Sequence, residues 1–262
     1  MECSVCHKRL WPDATACDFC GGAPGPLSSW RTAPDTYDVP PPGAFSDLSR
    51  PTRLLTWALV GHLGFSALAV SDSLGRLDRL RHPDDLTLLA LSSDARDGPH
   101  AQLGVVHVLV VVAVAAAFSA WVFRAYGNAR RTGSALPWTE TQAAAWAYVP
   151  VLGLWRPKQV MDQLWRTSDP GLGPRDGDGW RSRRRSALVL AWWVSCLTAA
   201  AVGNASLFLS ADVTDLRRTS WLDIAAAAVS SAAAVLLLLL VRRIPARQAA
   251  RLAAFRQPGP VL

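Results

Sequence analysis

Four long apolar runs, Leu54–Ser71, Ala101–Phe123, Ala187–Leu209 and Trp221–Val241, limit what this chain can fold into more than any other feature. At about 1.5 Å rise per residue, each is near or above the roughly 20 residues that cross a bilayer core. A helix on the surface of a soluble protein keeps a polar face, and these runs carry almost no internal charge. Leu54–Ser71 is the shortest of the four and carries His62. Half of the 262 residues are apolar and twelve are Trp, which suits a protein with two membrane interfaces to anchor. The expectation is an all-α integral membrane protein with four transmembrane helices spread over residues 53–241.

The basic residues set the expected orientation, because cytoplasmic loops retain Lys and Arg. The segments before Leu54, between Phe123 and Ala187, and after Val241 hold 5, 11 and 5 of them. The two remaining loops, Asp72–His100 and Ala211–Ser220, hold 4 and 2, and the first also carries six Asp. Both termini are therefore expected in the cytoplasm, with residues 242–262 as a basic cytosolic tail. Flanks such as Arg181-Ser-Arg-Arg-Arg185 and Arg242-Arg243 account for the net charge of +7 through attraction to anionic headgroups, so no nucleic-acid partner is needed.

Cysteine spacing points to a metal. Cys3-x-x-Cys6 and Cys17-x-x-Cys20 supply a complete tetrahedral thiolate set for one structural zinc ion, and Gly21-Gly22 leave backbone N–H groups free to support the sulfurs. Two competing readings exist. Paired disulfides need an oxidising compartment. Cys3-Ser-Val-Cys6-His7 also fits the c-type haem attachment string, but that leaves Cys17 and Cys20 unused and needs export, for which no signal peptide precedes Cys3. The preferred reading is a cytosolic zinc ribbon over residues 1–22, offered to a protein partner. In it Lys8 and Arg9 are outweighed by Glu2, Asp13 and Asp18, unlike the basic footprint of a nucleic-acid binder. Residues 23–52, with Pro40-Pro41-Pro42-Gly43, read as a disordered spacer.

Between the second and third runs lies an interfacial segment, 143–167. Ala143–Trp155 is too short to span and contains Pro150. Pro157 suits the first turn of a helix over Lys158–Thr167, with Val160, Met161, Leu164 and Trp165 on one apolar face. Lys158, Asp162 and Arg166 share the other face, with Asp162 and Arg166 at i,i+4 pairing distance. An amphipathic helix lying on the cytosolic surface is expected.

The motifs of this region carry a resemblance. Arg124-Ala-Tyr-Gly-Asn128, Gly133, Pro137-Trp138, Trp146, Val149-Pro150, Leu154-Trp155-Arg156-Pro157-Lys158 with Met161, and Leu164-Trp165-Arg166 with Ser168-Asp169 resemble the bacterial membrane family named domain of unknown function 4328. The resemblance covers roughly Arg53 to Val241 and implies a bacterial inner-membrane protein. Members often carry an N-terminal zinc ribbon, and no activity is assigned to them. Gly153 departs from the pattern, standing where many members have Asn.

Nothing in the chain supports an enzyme: there is no phosphate-cradling loop, no H-E-x-x-H and no serine in an elbow context. Cys196 reads as a packing residue inside a span. Counted along straight helices, His62 lies about 12 Å above the inner end of its run and His107 about 24 Å, an offset that argues against their sharing one haem iron. His107, Asn204 and Asp223 fall at about 24–27 Å and form a candidate polar layer. Against it, Ser220-Trp-Leu-Asp223 reads first as a helix N-cap followed by an acidic third residue. The sequence favours a non-enzymatic anchor or sensor, with a small oligomeric transporter or channel as the alternative.

Overall fold

A computed structural model describes residues 2–3, 24–25, 45–81, 99–149, 151–173, 177–205 and 213–256. The chain divides into two compact units, Met1–Val39 and Pro40–Leu262. In the first, strands β1 (Glu2–Cys3) and β2 (Pro24–Gly25) pair antiparallel, with Glu2 opposite Gly25 and Cys3 opposite Pro24. Pro24 and Gly25, at the start of the spacer expected over 23–52, thus form the second strand of this pair. Cys6, Cys17 and Cys20, and with them the expected zinc site, lie outside the described residues, as does most of the spacer.

The second unit is helical. Its long helices are α1 (Ser49–Arg79), α2 (Pro99–Arg131), α5 (Ala187–Ala205) and α6 (Val213–Arg256), and two shorter ones, α3 (Glu140–Ala145) and α4 (Arg156–Thr167), lie between α2 and α5. All four long helices are long and apolar enough to cross a membrane. Their outer surfaces are rich in exposed Leu, Val and Trp, including Leu54, Trp57, Val105 and Leu190, as lipid contact requires. Three of the spans, α1, α2 and α6, run past the apolar runs that announce them, because hydrogen bonding continues a helix into polar sequence. Thus α1 starts at Ser49, within the expected spacer, and continues through Asp72 to Arg79.

The largest departure is α6. Its 44 residues make a rod of about 66 Å, more than twice the bilayer core. Ser220 and Asp223 sit inside it, and the Ser220 hydroxyl donates back to the Leu216 carbonyl (3.0 Å), so the N-cap reading does not hold. At the other end the expected basic tail is helix through Arg256, carried past Pro245, with Ile244, Gln248 and Arg251 buried.

In cross-section the long helices form an arc. α6 packs along both α1 and α5, and α1 packs along α2. The ends of the arc, α2 and α5, meet through Phe118 and Trp192, whose rings lie 5.9 Å apart. Below that contact the bundle is tightly packed, with Leu55, Trp121, Val189, Leu240 and Val241 all buried. Above it the arc surrounds a partly open space.

Candidate functional site

The packed end of the bundle is finished by a cap built from the family-type motifs. Thr139 starts α3 with a reciprocal capping box to Gln142. Arg156, at the head of α4, lies over two indoles, Trp138 at 5.1 Å and Trp146 at 5.3 Å, which fixes the turn between α3 and α4. Trp155 stays largely exposed, while Pro157 is buried in the first turn of α4. Pro150 lies outside the described residues, and Pro137 sits in the turn preceding α3. Two backbone positions are tight here. Val151 takes φ 65°, a costly value for a β-branched residue. A Cβ at Gly153 would lie 3.0 Å from the Ala147 carbonyl oxygen, so an Asn there requires the Trp146–Tyr148 turn to move.

Helix α4 is amphipathic as expected, but both faces are covered. Val160, Met161 and Leu164 join the core, and Asp162, Gln163, Thr167 and Ser168 are buried too. Asp162 takes Lys158 (2.8 Å) as its ionic partner, not Arg166. Arg166 instead lies over Trp180 (4.7 Å) and donates to the Arg181 carbonyl (3.1 Å) and weakly to that of Asp162 (3.4 Å). Burial lowers the Arg166 pKa and nearby Asp162 opposes the shift. Trp165 stacks under Arg247 of α6 at 4.5 Å. So α4 packs its apolar face on the end of the bundle, and the cap covers most of its polar face as well.

Long-range polar bonds tie the cap together. The Asn128 side chain exchanges two 2.9 Å bonds with the Ser46 backbone, and Arg124 donates to the Asp47 carbonyl (3.4 Å). The Tyr126 hydroxyl donates to Gln163 (2.9 Å), and Gln248 donates to the Ala125 carbonyl (3.1 Å). Arg251, 1 % exposed, is the hub. It donates to the Thr132 and Ser134 hydroxyls (both 3.0 Å) and to the carbonyls of Thr167 (2.6 Å), Thr132 (3.2 Å) and Gly173 (3.3 Å). Tyr126 lies inside the Arg124-Ala-Tyr-Gly-Asn128 string, whereas Gln248 and Arg251 belong to no motif of the sequence. The signal was a helical period running through Leu237, Val241, Ile244, Gln248 and Arg251.

Beyond the cap, the arc of long helices holds a cavity of about 800 Å³. Its floor is Leu59, Phe118, Trp192 and Leu237, and its far end is Asp72, Arg76 and Asp223. Small residues make the space: Ala199, Ala200 and Gly203 of α5 and Ala226, Ala227 and Ser230 of α6 line it, and the two helices pack closely enough that a Cβ at Gly203 would touch Ala226 at 3.8 Å. His107, Asn204 and Asp223 all line this one cavity. Asn204 also donates to the Ala200 carbonyl of its own helix (2.7 Å). Asp223 bonds Arg76 of α1 (3.0 Å), and Asp72 lies 3.3 Å from Arg76. Both Asp72 and Arg76 fall beyond the apolar run and were missed, although their i,i+4 spacing continues the helix.

The two histidines are neighbours, against the expected offset. Their ring centroids are 6.4 Å apart with 27° between planes, and Phe65 lies against His107 at 5.1 Å. The inner ends of the two apolar runs are not level with each other. The Trp121 indole donates to Thr52 (3.2 Å), which sets the true register of α2 against α1. From that contact His62 is about 15 Å up α1 and His107 about 21 Å up α2, within reach of two side chains. Cys196 lines the same cavity.

No curated protein and no solved structure matches the chain. One family model does, over residues 84–246, more than half of the sequence. The matched region holds His107, Asn204 and Asp223 together with the Trp-Arg-Pro-Lys segment, and leaves His62, Arg76 and Arg251 outside. On that match, the chain belongs to the family described as Domain of unknown function (DUF4328).

Proposed function

We propose that this protein is a non-enzymatic, multi-pass sensor of the bacterial inner membrane with both termini in the cytoplasm. In this reading the cavity receives a small ligand, and the N-terminal unit, holding one zinc ion through Cys3, Cys6, Cys17 and Cys20, passes the signal to a protein partner. The observation that carries it is the floor of the cavity. Leu59, Phe118, Trp192 and Leu237 end the space against a packed core, so a ligand entering it meets a dead end rather than a path. The 21-to-6 partition of basic residues supports the orientation.

A second reading, a small oligomeric transporter or channel, is favoured by the charged Asp72–Arg76–Asp223 group, since ionised residues at membrane depth commonly mark solute paths. Flux measurements separate the two. Proteoliposomes holding the full chain should show no solute or ion flux above empty vesicles, while the chain should capture a partner from cells that a Cys3→Ser/Cys6→Ser variant loses. Sustained flux would remove the sensor reading in favour of the transporter.

A further inference from the structure

We propose that the cavity holds one acyl chain of an aminophospholipid from the leaflet away from the cap, with the lipid amine at Asp72 and Asp223. This lipid is the ligand that the sensor reading calls for, and the inference rests on that reading. Val111 of α2, 47 % exposed, and Ala200 and Gly203 of α5, both exposed, line the cavity and also belong to the outer surface of the bundle. The space therefore opens sideways between α2 and α5, above the Phe118–Trp192 contact that joins them. In a bundle that spans a bilayer, such an opening faces hydrocarbon, so lipid chains are what meets it.

Depth, walls and charge fit that occupant. From Leu59 on the floor to Asp72 along α1, or from Leu237 to Asp223 along α6, the cavity is about 20 Å deep, against about 15 Å for the hydrocarbon of one leaflet. Asp72 stands about 27 Å up α1 from Leu54, where the apolar run begins, and so reaches the far headgroup level. Ala199, Ala200, Ala226 and Ala227 present no polar side-chain atom, and the Asn204 amide and Ser230 hydroxyl donate to carbonyls of their own helices at 2.7 and 3.1 Å. Along these walls a polar solute would leave its hydrogen-bonding groups unmatched, whereas a methylene chain has none to match. Among the described lining residues the charged ones are Asp72, Arg76 and Asp223, and the two carboxylates share one guanidinium at 3.3 and 3.0 Å. That end is net negative, which favours a head ending in an ammonium over an anionic one.

The test uses the full chain in phosphatidylcholine nanodiscs doped with phosphatidylethanolamine or phosphatidylglycerol, either lipid carrying a photoreactive diazirine near the end of one acyl chain. After irradiation, peptide mass spectrometry should find adducts on Leu59 and Leu237, which are only 2 % and 5 % exposed and line the cavity floor. Yield there should be about two- to fivefold higher with the ethanolamine lipid, the size of a partly shielded ion pair, and Asp223→Asn should level the two lipids. Ala200→Phe, which narrows the opening, should lower the yield at Leu237, whereas Leu190→Phe at an exposed position of the same helix outside the cavity should not. Adducts confined to exposed positions such as Leu190 would overturn the site. So would equal yields from the two lipids, an Asp223→Asn chain that keeps the preference, or an Ala200→Phe chain that labels as the parent does. Adduct position and lipid preference are read on the native chain, so they decide even where a variant fails to fold. Adducts in the cavity together with solute flux would keep the site and remove the sensor reading; neither adducts nor flux would remove the site alone.

Discussion

Arg76 and Asp223, 147 residues apart in sequence, meet at 3.0 Å and join α1 to α6 at the end of the cavity away from the cap. Both side chains are partly shielded, 12 % and 30 % exposed. Asp223→Ala should therefore cost about 1–2 kcal/mol, less than the roughly 3–5 expected when a fully buried pair is broken. Thermal unfolding in detergent checks this. The exchange Arg76→Asp/Asp223→Arg should recover part of the loss, and no difference between single and double variants would mean that the pair does not couple the helices.

Replacing Arg251 should be far more damaging than replacing its exposed neighbours. Its guanidinium serves two hydroxyls and three carbonyls inside the cap, and these lose their donor together. Arg251→Ala is expected to cost about 3–5 kcal/mol, against less than about 0.5 for Arg242→Ala on the exposed side of the same helix. Denaturant unfolding of the two variants provides the comparison.

The cap and the basic flank Arg181–Arg185 are expected on one side of the membrane. Ala135 and Ser182 are both exposed, so single cysteines placed there report accessibility. In cells, both should be shielded from an impermeant external reagent and labelled after permeabilisation. Labelling of Ser182→Cys alone would mean one more crossing between them.

The start of α1 should respond to acid. Asp47 accepts from the Ser49 hydroxyl (2.5 Å) and backbone N–H (2.8 Å), and these bonds hold its pKa below the ordinary carboxylate value. A carboxyl with a depressed folded-state pKa stabilises the fold above its unfolded value, about 3.9, and that contribution fades as pH falls through the folded value. Stability measured from pH 5 downward should therefore fall less steeply in Asp47→Asn than in the parent. An identical acid limb would show that the Ser49 bonds contribute nothing.

Metal analysis of the purified chain should find one zinc ion, lost on changing any of Cys3, Cys6, Cys17 or Cys20 to Ser, because a closed structural site uses all four thiolates. Covalent haem, or a metal-free protein with the cysteines oxidised, would replace this assignment.

Features that depend on local chain properties are legible in the amino-acid order alone. Apolar length set the four spans, Pro157 and the spacing of Val160, Met161 and Leu164 set α4, and the Trp-Arg-Pro-Lys string identified the family. Tertiary structure decided what depends on register between helices. Levels counted from the ends of apolar runs put His62 and His107 at different depths, but the Trp121–Thr52 contact slides α1 against α2 and brings them together. Apolar length also says where a helix must be, not where it stops. Asp223 became an interior residue paired with Arg76, and Arg251 the buried hub of the cap, because hydrogen bonding carries α6 through polar sequence until packing on other segments ends. Partners 78 to 147 residues away satisfy those charges, and only the fold brings such distant groups within hydrogen-bonding reach.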